Sequence, residues 1–195
     1  MKWLPAALAA FALASCVAPV GPVEVTRFHA PELATLGRGT IAVEPAAGQD
    51  GNSLEFGSYA GAVSRQLSLL GYSAASAAGT SPQVALLRIE RRSFRADRAR
   101  GPVSVGVGGS AGSYGSGVGV GIGLDLSGPP PQLVETLLGV TIRDRASGKA
   151  LWEGKATFTV RAASPLATTQ LGAAKLAEAL FKGFPGSSGE TILVQ

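Results

Sequence analysis

Apolar residues along the chain repeat with two different periods. Phe56, Tyr59, Val63, Leu67 and Leu70 recur at spacings of three and four, which places them on one face of a helix. Asn52 stands before them as a capping residue with Glu55 three positions on, and Gly71 supplies a left-handed stop. Ala173, Leu176, Ala177, Leu180 and Phe184 form a second such stripe, opened by Ser164-Pro165 and closed by Gly183 and Pro185.

The remaining pattern has period two. Val23 and Val25 set against Phe28, and Ile41 with Val43, read as two short strands bounded by Pro or Gly. Ala85, Leu87 and Ile89 alternate with Leu86, Arg88 and Glu90, so one face of this strand meets the core and the other is partly wet. Leu138, Val140 and Ile142 run into the polar turn 144–148, after which Trp152, Gly154, Ala156, Phe158 and Val160 alternate with polar residues. Two alternating runs around a short turn make an antiparallel hairpin, because parallel strands need a long crossover. Thr191 to Val194 reads as a last short strand. The expected fold class is α+β: a mostly antiparallel sheet with two amphipathic helices packed on one face, plus a Gly-rich β-hairpin insert.

The start of the chain follows neither period. After Met1-Lys2, the segment from Trp3 to Leu13 is apolar apart from Pro5, and it is too short for a span of about 20 residues. Leu13-Ala14-Ser15-Cys16 then resembles the bacterial lipobox, the signal for acylation of a cysteine and cleavage before it. Cys16 is the chain's only cysteine, so it cannot close a disulfide, and its flanks are those of a processed segment rather than of a buried thiol. The expected organisation is a lipoprotein signal peptide over 1–15, an acylated N-terminus and tether over 16–22, and a single periplasmic α+β domain over 23–195 with a Gly-rich insert at 101–127. Lipidation at Cys16 would anchor the domain stably, since acyl chains contribute about 0.8 kcal/mol per buried methylene and three would be present.

Composition bounds the rest. The 195 residues carry a formal charge of +4, which falls to +3 without Lys2, too mild an excess to predict a nucleic-acid partner. No later stretch reaches eighteen apolar residues. Within the insert, Val103, Val105 and Val107, and later Val118, Val120, Ile122 and Leu124, alternate with Gly and Ser around a tip of Gly, Ser, Ala and Tyr. Glycine weakens strands, so the pattern has two readings: an interaction arm whose bare face admits another backbone, a lipid surface or a partner strand, or a weakly paired surface excursion.

Catalytic chemistry finds few residues. Gly108-Gly109-Ser110-Ala111-Gly112 satisfies the G-x-S-x-G pattern without the strand-to-helix context that a nucleophile elbow requires. His29 is the sole histidine, which with one acylated thiol builds neither a zinc site nor a Cys-His couple; no metal or cofactor is expected. The carboxylates, among them Asp97, Asp125, Asp144, Glu153 and Glu178, are scattered over different elements. Arg88, Arg91, Arg92, Arg95, Arg98 and Arg100 are the strongest charge feature. A solvated edge strand guarded against aggregation accounts for them best, and Arg88, Arg91, Arg92 and Arg95 are the candidates for contact with anionic lipid head groups near the anchor.

The chain resembles the bacterial envelope lipoproteins grouped as domain of unknown function 4136. The likeness rests on Leu13 to Cys16, on the helix ending Leu69-Leu70-Gly71-Tyr72, on Gly148 to Gly154 with Trp152 and Glu153, and on Phe181-Lys182-Gly183-Phe184-Pro185-Gly186. It implies the periplasmic side of a Gram-negative envelope and carries no catalytic residues over; Val17 after the cysteine implies the outer membrane. The expected function is a lipid-anchored, non-enzymatic binding or structural module of the cell envelope, attached to the membrane through lipid on Cys16 and open to an envelope protein partner. An accessory subunit of an envelope transport or assembly complex is the alternative, with an envelope hydrolase last.

Overall fold

The computed structural model describes residues 21–31, 34–75, 79–95, 103–112, 115–124 and 130–195, with backbone alone for 103–112 and 115–124. The expected signal peptide and the acylated cysteine lie outside the described residues. In chain order the elements are β1 (Val23–His29), β2 (Thr40–Pro45), α1 (Leu54–Leu69), β3 (Ser73–Ala74), β4 (Gln83–Arg95), β5 (Val103–Gly112) and β6 (Gly115–Leu124). Then follow β7 (Gln132–Asp144), β8 (Ala150–Arg161), a 3-10 turn (Pro165–Ala167), α2 (Thr169–Phe181) and β9 (Thr191–Val194). Seven strands form one sheet in the order β3-β2-β4-β7-β8-β1-β9, mostly antiparallel; the exceptions are the parallel pairs β2/β3 and β2/β4. β5 and β6 pair with each other in a separate two-stranded ladder.

The alternation read from sequence is the alternation of burial. Trp152, Ala156, Phe158 and Val160 on β8, Leu138, Val140 and Ile142 on β7, and Ala85 and Leu87 on β4 are buried. Against them pack Phe56, Tyr59, Val63 and Leu67 of α1 and Leu176, Ala177 and Leu180 of α2. Each large side chain so buried contributes about 1.5–3 kcal/mol. The turn between β7 and β8 is held by Asp144, whose Oδ1 accepts from the Ser147 backbone N–H at 2.8 Å and the Ser147 hydroxyl at 2.6 Å. Those two donors hold the Asp144 carboxyl below its ordinary range.

Both helix starts differ from the expectation. Ser53, not Asn52, caps α1: its Oγ accepts from Phe56 N–H at 3.0 Å. Asp50 accounts for the shift, since its Oδ1 accepts the Asn52 N–H at 2.9 Å and holds that residue in a turn. Ser164-Pro165 opens only the 3-10 turn; Thr168 is extended, its hydroxyl donates to the Pro165 carbonyl at 2.6 Å, and α2 starts after it. Phe184, expected on the α2 stripe, lies beyond the helix end: Lys182 is already extended, with ψ 116°, and Gly183 follows at φ +73°.

Candidate functional site: the helix-free face of the sheet

Period two assigns the residues between the core positions to the opposite face of the sheet, away from α1 and α2. There Arg88 of β4 stands opposite Gly139 of β7, which stands opposite Lys155 of β8, and Thr26 of β1 stands opposite Lys155 in turn. Gly139 leaves the middle of this row bare. An open groove of about 640 Å³ runs over it, lined by Phe28, Leu86, Arg88, Leu137, Glu153 and Lys155 among others. Its walls mix aliphatic and aromatic carbon with charges of both signs.

The four arginines singled out from the sequence divide between the two faces. Arg88 pairs with Glu90 at 3.3 Å and Arg92 with Glu135 at 2.6 Å, both on the open face and both well exposed. Such pairs contribute little stability and leave the cations available to solvent. Arg91 falls on the helix side, where it reaches Glu55 of α1 at 3.7 Å, Thr169 Oγ1 at 3.4 Å and the Ala167 carbonyl. It ties the two helices to the strand that carries it. Arg95 is exposed at the end of β4, opposite Gln132.

Two of the stretches that carry the family resemblance, 148–154 and 181–186, meet on the helix side, around one tryptophan. The Trp152 ring lies 5.4 Å from Phe181 and 5.2 Å from Phe184, and its indole N–H donates to the Pro185 carbonyl at 3.0 Å. Gly154 is obligatory here because a Cβ at that position would run into the indole and lie 2.8 Å from Leu180 Cδ1. Arg27, 5% exposed, completes the cluster: its Nε donates to the Leu180 carbonyl at 3.0 Å and an NH2 group to Ala179 at 3.1 Å. It satisfies carbonyls left open at the end of α2, where the helix dipole favours a cation. Burial lowers its pKa, and the charge of Glu190 partly restores it. These residues build the fold; sequence reasoning missed Arg27 because alternation marks its position as core and its charge as solvent-facing.

His29 shares a hydrogen bond between Nδ1 and the Ala30 carbonyl at 2.9 Å, and its backbone N–H donates to Ser188 Oγ. Among the described residues no three His, Cys, Asp or Glu side chains gather as metal ligands. The Ser110 side chain lies outside what the structure describes.

The fold and this face together define a two-layer α+β domain, one layer a seven-stranded sheet and the other two helices. The chain belongs to the family described as domain of unknown function 4136, whose model matches residues 28–186. An uncharacterized protein of Zymomonas mobilis subsp. mobilis is 29% identical over 222 aligned residues, covering 93% of this chain and 83% of that one. Among solved structures, the chain is similar to a PDZ domain protein from Parabacteroides distasonis, with 11% identity and a TM-score of 0.49. That match covers 89% of this chain and spans 39% of the length of the other. A PelC dodecamer from Paraburkholderia phytofirmans matches at 12% identity and a TM-score of 0.40, over 80% of this chain and 96% of that one. At these identities and TM-scores neither likeness bears on what the chain does.

Proposed function

We propose that this protein is a lipid-anchored lipoprotein on the periplasmic face of a Gram-negative outer membrane, acting there as a non-enzymatic binding or structural module. The observation that carries the reading is the position of Cys16 directly after an apolar segment and the sequence Leu13-Ala14-Ser15. A domain that starts a few residues after Cys16 is compatible with such an anchor. Val23, the first residue of β1, is wholly buried, so the sheet begins just beyond the Pro- and Gly-containing tether 17–22. The open sheet face, with its mixed charged and apolar lining, is the surface on which this module would meet an envelope partner.

Intact-mass analysis of the protein from its own host tests the reading. The expected species starts at Cys16 and carries the mass of a diacylglycerol and an N-acyl chain, and Cys16→Ser removes metabolically incorporated palmitate completely. A chain that retains residues 1–15, or a free thiol at Cys16, overturns it.

A further inference from the structure

The ladder of β5 and β6 separates its residues into two unlike rows. Register pairs Val103 with Leu124, Val105 with Ile122, Val107 with Val120 and Gly109 with Val118. The alternate positions pair Ser104 with Gly123, Gly106 with Gly121, Gly108 with Gly119 and Ser110 with Gly117. One face of the ladder therefore collects the branched aliphatic residues of the segment, while the other holds only glycine and serine. No Asp, Glu, Lys, Arg or His occurs from residue 103 to 124. A soluble hairpin with one apolar face normally lays it on the core, yet β5 and β6 form a sheet apart from the seven strands.

Length identifies what would cover that face. Each strand has 10 residues, which at about 3.3 Å per residue extends about 33 Å and, tilted by about 45°, rises about 23 Å, close to the apolar band of an outer membrane, about 25 Å tall, and within the 9–11 residues such a strand needs. Strand alternation of aliphatic with small residues is the pattern of a membrane-crossing β-strand.

Topology supplies a second, separate observation. β4 and β7 end their ladder at Arg95 opposite Gln132, and the hairpin leaves and returns at that end. β1 enters the sheet pointing the same way: Glu24 pairs with Thr157, Thr157 with Leu137 and Leu137 with Glu90, five residues short of Arg95 on β4. The chain thus enters β1 from the side of the sheet on which the glycine-rich hairpin leaves, about five residues short of that end. Arg92, Arg95 and Arg161, the last residue of β8, gather there, and Arg98 and Arg100 follow in sequence on the way to β5. Basic residues beside an apolar insert suit the anionic head groups of a bilayer.

From this placement we propose that β5 and β6 form a transmembrane β-hairpin, its aliphatic row facing lipid. Identical hairpins from further copies of this chain pair with its edges, since only closed barrels satisfy the backbone in hydrocarbon. The inference uses the lipoprotein reading only for the direction of the anchor.

The test uses the protein purified in detergent from its host, with single cysteines introduced as Val105→Cys, Gly106→Cys, Val107→Cys and Gly108→Cys, labelled with an environment-sensitive fluorophore and reconstituted into phosphatidylethanolamine/phosphatidylglycerol vesicles. Labels at 105 and 107 are expected to be quenched severalfold more by a spin-labelled lipid than those at 106 and 108, which respond instead to aqueous iodide. Val120→Asp should abolish this alternation while the thermal midpoint of the domain stays unchanged. Equal iodide access at all four positions overturns the proposal in favour of a solvated excursion. Shielding of 105 and 107 from iodide in the vesicles, without quenching by the spin-labelled lipid, overturns it in favour of a protein partner. Labelling of the parent protein, whose one thiol is Cys16, reports separately on acylation, so failure of the anchor and failure of the hairpin are told apart.

Discussion

Two glycines on neighbouring strands show how much a single position depends on its face. Gly154 sits under the Trp152 indole and against Leu180, whereas a Cβ on Gly139 would meet Arg88 Cβ at 3.6 Å, the Arg88 carbonyl at 3.8 Å and Leu137 Cδ2 at 3.9 Å, all ordinary contacts. Gly154→Ala is therefore expected to destabilise the domain by about 1–3 kcal/mol in a urea titration, and Gly139→Ala to leave it unchanged or slightly more stable. Equal effects of the two would refute the packing assigned to the tryptophan cluster. Tyr59 gives a prediction in pH. Burial, reinforced by the charge of Glu55 and opposed by Arg91, pushes its phenol up to about 12. The folded state holds that proton more tightly than the unfolded one, so this stability is complete below about pH 10 and is lost as the pH rises through 12. The loss amounts to about 2–3 kcal/mol, and Tyr59→Phe should remove it from a pH series of unfolding curves, leaving the smaller contribution of Tyr72, whose phenol burial also raises.

At the scale of elements, adjacent arginines on β4 have opposite tasks. Arg91 joins β4 to α1 through Glu55 and to α2 through Thr169 and the Ala167 carbonyl. Arg92, on the other face, pairs with Glu135 while 75% of its side chain remains exposed. Arg91→Ala should cost about 1–2 kcal/mol and Arg92→Ala less than about 0.5 kcal/mol, read by chemical denaturation. A run of arginines looks uniform along the chain, and period two alone distributes them between a wet face and a helix-bearing one. The capping shift has a similar origin. Asn52 and Ser53 are both competent caps, and the side chain of Asp50 decides between them by engaging one of the two. The strand pair β2/β3 escaped notice because two residues, Ser73 and Ala74, carry no periodicity.

For the whole molecule, the sheet with its two helices is complete without the glycine-rich ladder. Replacing residues 103–124 by a short flexible link should leave the unfolding free energy within about 1 kcal/mol, because loop closure changes slowly with length. A much larger loss, measured by thermal denaturation, would mean that the ladder packs on the domain. The open face of the sheet and the glycine-rich ladder then belong to two separate sheets, so a change in one is expected to leave the other intact.

The chain by itself determined the two amphipathic helices, the hairpin of β7 and β8 and the α+β class. Each of these is written in local periodicity. Only the tertiary structure decided that Trp152 meets Phe181, Phe184 and Pro185, that a buried Arg27 closes the end of α2, and that β1 enters the sheet from the side on which the glycine-rich strands leave it. The physical reason is range. Alternation reports which side of an element faces the core, while strand order and register, fixed by packing between residues far apart in the chain, decide what that side meets.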